Sequence, residues 1–126
     1  MKFSGLLAFT ALVFSAAPMA QAKTAAECRQ MAVNLNAEKQ AYMADHAELK
    51  TLQEEAELAG IEYDDAKQTS TWSDGHKAKS DAMQAKFEAL KEDVNTKSEE
   101  LVAIQAQLNR QITLFNQACS TYLSQD

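Results

Sequence analysis

The chain carries two thiols, Cys28 and Cys119, one near each end of an acidic sequence. A thiol acts as a nucleophile or metal ligand only as the thiolate, with partners that stabilise it. The two histidines, His46 and His76, belong to no recognised metal-ligand spacing. His46 follows Asp45 directly, and sequence neighbours point to different sides of a helix. Paired carboxylates recur at Glu54-Glu55, Asp64-Asp65 and Glu99-Glu100. General acid–base work needs a cleft that perturbs one carboxyl, whereas acids spread over helical surfaces read as solvated faces. The sequence has no glycine-rich phosphate loop and no catalytic-triad signature. The expectation is a non-catalytic protein, not an enzyme, with no cofactor and no metal ion.

The compartment bears on the cysteines. Met1-Lys2, the apolar run 5–14 and Ala20-Gln21-Ala22 follow the pattern of a cleaved signal peptide over residues 1–22. An apolar run of about ten residues is half of what a spanning helix needs. Cys28 follows Ala-Ala-Glu, too polar for a lipid-anchor sequence, so no stable membrane anchor is expected after cleavage. The mature chain, 23–126, then has 104 residues and loses Lys2, which gives eleven bases, eighteen acids and a charge of −7. That is one domain, with a sign that argues against nucleic acid and anionic membranes. In the periplasm or outside the cell, an even pair of cysteines reads as one disulfide, Cys28–Cys119.

The elements that must bring these cysteines together are helices. The only proline falls in 1–22, and the mature chain has two glycines, Gly60 and Gly75. Thr24-x-x-Glu27 is a capping box, which predicts a helix starting directly after it. Steps of seven from Cys28 give Leu35, Tyr42, Leu49, Ala56 and Tyr63, an a series without charge. Its d companions are Met31, Glu38, Asp45, Leu52, Ala59 and Ala66. A second a series runs Phe87, Val94, Leu101, Leu108, Phe115 and Tyr122, with Met83, Leu90, Lys97, Ile104, Gln111 and Ala118 at d. Two sustained heptad arms predict a coiled coil. Residues 68–75, Gln-Thr-Ser-Thr-Trp-Ser-Asp-Gly, read as the turn between them, with Thr71 or Ser73 capping the second arm. The fold expected is all-α: a long antiparallel hairpin with arms over about 25–67 and 76–123 and a disulfide at its open end.

An antiparallel register in which facing numbers sum to 146 sets Met31 against Phe115, Leu35 against Gln111 and Ala59 against Phe87. It also sets Tyr63 against Met83 and centres the turn on Ser73. The cysteines sum to 147, close enough for a bridge. Lys97 falls opposite Leu49, one turn from Asp45, so it either pairs with Asp45 across the seam or, as expected of long side chains in a thin seam, reaches out into water.

Two features lie outside the seam. Small residues recur at c positions, Ala37, Ala44 and Thr51 on one arm and Ala82, Ala89, Thr96 and Ala103 on the other, joined by Ala41 at g. They predict either a docking face or plain helix-forming surface. Trp72 at the turn predicts a partner contact, or a ring folded onto Tyr63 or Met83. The function expected is an exported helical interaction module that binds a protein or pairs with a second copy in a four-helix bundle. The alternative is a chaperone-like or stress protein binding nonnative clients.

Overall fold

A computed structural model of the chain describes residues 22–123. The expected signal segment lies outside the described residues, apart from Ala22. Two helices pack antiparallel, α1 (Ala25–Gln68) and α2 (Asp74–Leu123). At 1.5 Å per residue their 44 and 50 residues span about 66 and 75 Å.

The start of α1 is the predicted capping box. The Thr24 hydroxyl accepts from the Glu27 amide at 3.2 Å, and the Glu27 carboxylate accepts from the Thr24 amide at 2.7 Å. The hydrogen bonds from Thr24 and the charge of Lys23 hold the Glu27 carboxyl below the usual carboxylate range. Just before the cap, the Lys23 amide donates to the Ala118 carbonyl at 3.3 Å, tying the entry of α1 to α2. One turn later the Cys28–Cys119 disulfide joins the arms, with Cα atoms 5.8 Å apart.

The turn is shorter than the sequence suggests. Gln68 remains helical, and α2 begins at Asp74, so the connection is 69–73. Ser73 is the cap, and its hydroxyl accepts from the His76 amide at 3.2 Å. Asp74 and Gly75 are therefore first-turn residues, and an aspartate is favoured there by the exposed amides of a helix start.

The seam follows the two heptad series. Leu49, Ala56, Ala59 and Ala66 are buried on α1, as are Leu101, Leu108 and Cys119 on α2. Ser80, seven residues before Phe87, extends the second series and is also buried. Tyr122 does not continue it. Its place opposite falls before α1 begins, so the ring stays 41% exposed. At Gly60 the helices are close: a Cβ there would lie 3.1 Å from the Phe87 ring. Phe87 then stacks with Tyr63 at 6.4 Å between centroids, where the simple register set Met83 against Tyr63. Large rings reach one turn along a thin seam, which integer pairing does not capture.

Candidate functional site

The polar seam positions pair with one another. Lys97 reaches Asp45 at 3.1 Å and Glu48 at 2.8 Å. Hydrogen bonds to both carboxylates push the Lys97 ammonium above its ordinary pKa. The Gln111 amide donates to Glu38 at 3.2 Å, while its own carbonyl oxygen is buried without a partner. These contacts fix alignment between arms. Glu38 and Gln111 also line a shallow groove with Met31, Asn34, Leu35 and Leu114, and polar seam positions of this kind help fix register.

The cysteines meet as expected, and the disulfide leaves no free thiol among the described residues. The histidines remain apart. His46 faces the Tyr42 ring at 6.2 Å, and His76 lies against Ser73 and Trp72. Among the described residues no group of three His, Cys, Asp or Glu side chains is placed to hold a metal ion. No helix among them is long and apolar enough to cross a membrane.

Trp72 is 72% exposed at the tip. Its ring leans on His76 at 5.6 Å, not on Tyr63 or Met83. The small column, Ala37, Ala41, Ala44, Thr51, Ala82, Ala89, Thr96 and Ala103, is exposed throughout. It shares the g side of the hairpin with Glu48, Glu55, Glu62, Asp93 and Glu100, against Lys79 and Lys86. Cross-arm pairs on this side join Lys86 to Glu62 at 2.9 Å and Lys97 to Glu48 at 2.8 Å.

The other side differs in kind. Along the e positions run Ala25, Ala32, Lys39, His46, Gln53, Gly60 and Lys67, then Lys77, Gln84, Lys91, Ser98, Gln105, Ile112 and Cys119. None is a carboxylate. Lys77 is neutralised by Asp81 at 2.8 Å and Lys91 by Glu88 at 3.2 Å, while Lys67 lies over the Tyr63 ring. Lys39, and Arg29 on the adjoining b position, have no acidic partner among the described residues.

Charge also divides along the rod. Residues 45–100 hold fifteen carboxylates and seven lysines. The disulfide end, 23–44 with 101–123, holds two carboxylates, Glu27 and Glu38, and four bases. Residues 101–123 contain a single charge, Arg110, yet expose Val102, Leu114 and Leu123 by half or more. On the e side of this end two shallow grooves adjoin. One is lined by Ala25, Cys28, Arg29, Ala32, Phe115 and Cys119. The next is lined by Ala32, Leu35, Lys39, Leu108, Ile112 and Phe115. They share Ala32 and Phe115 and so form one strip.

Sequence reasoning did not single out Arg29, Lys39, Ile112 or Phe115 as surface features. Their signal was present in the almost uncharged run 101–123 and in apolar e positions confined to the open end. No family model, curated protein or solved structure matches the chain.

Proposed function

We propose that the chain is an exported, non-catalytic interaction module that works in the periplasm or outside the cell. The observation that carries this reading is the disulfide end. Apolar side chains stay in water there while carboxylates fall to two, although the same chain places fifteen carboxylates on residues 45–100. Exposed apolar surface rimmed by polar groups marks interaction sites in soluble proteins. A long two-helix rod offers faces and ends rather than clefts, so recognition suits it better than catalysis. Export is supported by the leader pattern and by a disulfide across the open end.

Photo-cross-linking in cells tests the reading. A photoreactive residue at Ile112 or Leu114 is expected to give a discrete adduct, with one other protein or a second copy. The same residue at Glu54 is expected to give none. Absence of an adduct from both apolar positions contradicts an interaction module. The chaperone-like alternative is favoured by the exposed Val33, Leu58, Ile61 and Val102, which are scattered over the rod. It predicts that the mature chain suppresses light scattering by an aggregating client; the docking reading predicts no suppression.

A further inference from the structure

We infer that the strip on the carboxylate-free side of the disulfide end docks an acidic amphipathic helix of a partner protein, as the third helix of a bundle. The inference rests on reading the chain as an interaction module, and it adds the occupant's shape and charge.

The shape follows from the width of the apolar stripe. A two-stranded coiled coil needs apolar residues at a and d alone, whereas bundles of more helices widen the stripe onto e or g. Here the widening is local. At the open end the e positions are Ala25, Ala32, Ile112 and Cys119; further along they are Lys, Gln, His, Ser and, at position 60, Gly. Ile112 stays 40% exposed because nothing covers that edge. From Ala25 to Lys39 the strip runs about 21 Å, the length of a four-turn helix.

The charge follows from Arg29 and Lys39. They flank the strip about 15 Å apart and lack acidic partners within the described residues. A helix with carboxylates ten or eleven residues apart on its flank presents one to each. A second copy is disfavoured, because a two-fold overlap at this strip sets Arg29 against Lys39 of the other molecule.

The test uses the oxidised mature chain and two labelled 18-residue peptides built from Leu, Ala and Gln. One carries two glutamates eleven residues apart beside its leucine face; the other carries lysines there. In fluorescence anisotropy the glutamate peptide is expected to bind at least tenfold more tightly. Ile112→Glu is expected to weaken it at least tenfold, with circular dichroism and the disulfide unchanged. The double reversal Arg29→Glu/Lys39→Glu is expected to make the lysine peptide the tighter ligand. Equal binding of both peptides, binding of neither, or a preference that survives the double reversal overturns the inference. So does a dimer of the chain alone that Ile112→Glu dissolves. A positive cross-link from Ile112 beside a failed peptide assay would retain the interaction module and reject the acidic helix.

Discussion

Two charged side chains show how this fold treats polarity in a thin seam. Lys97 sits at a d position and stays attached to Asp45 and Glu48. Half-buried ion pairs lose much of their Coulomb gain to desolvation. Asp45→Leu/Lys97→Leu should therefore melt no lower than the parent in calorimetry. Lys97→Leu alone should melt lower, since it strands Asp45 without its cation. Glu27 behaves differently because it is exposed. Its pKa is depressed in the folded chain, so its cap contribution is present above the unfolded carboxylate value and is lost as pH falls through the folded one. Amide exchange near Ala25–Cys28 should accelerate below about pH 4, where ordinary glutamates protonate. Glu27→Gln should remove that acid step, and an unchanged step would assign it to another group.

The helices were legible because their signals are local and repeated. Thr24-x-x-Glu27 marks a start on its own, and heptads recur often enough that Glu38, Asp45, Lys97 and Gln111 do not hide them. The turn limits were less legible, since Asp74-Gly75 serves a first helical turn as readily as a loop. Ser80 was missed because a lone serine carries no apolar signal. The apolar strip on the e side required the register first, because an e position has no meaning until a and d are set. Gly60 illustrates the same dependence on packing. Alanine there should gain about 1 kcal/mol of helix propensity. In the parent, the Phe87 ring 3.1 Å from the new methyl should consume part of that gain. With Phe87→Leu the full gain should appear in chemical denaturation; equal gains in both backgrounds would show that the close approach costs nothing. Seam and turn should separate as sharply. Leu101→Ala removes a buried leucine from a core with little redundancy and should cost about 2–4 kcal/mol. Trp72→Ala should leave the melting temperature within about two degrees, because an exposed loop tip tolerates change. Comparable losses would place the tip inside a packed core.

At the scale of the molecule, the hairpin is a rod whose two ends are held by different means. The tip is closed by a five-residue connection, the far end by one covalent bond between residues 91 apart in sequence. On the chain-entropy model, closing a loop of that length stabilises the folded state by about 4.6 kcal/mol. That bond lies beneath the apolar strip of the e side, so it also keeps the proposed docking surface assembled. Hydrogen exchange on the oxidised and reduced mature chain tests this most directly. Reduction should accelerate exchange over residues 25–45 and 101–123, while residues 52–94 keep their protection near the tip. A uniform loss along both helices, or a loss beginning at the tip, would contradict a hairpin clamped at its open end.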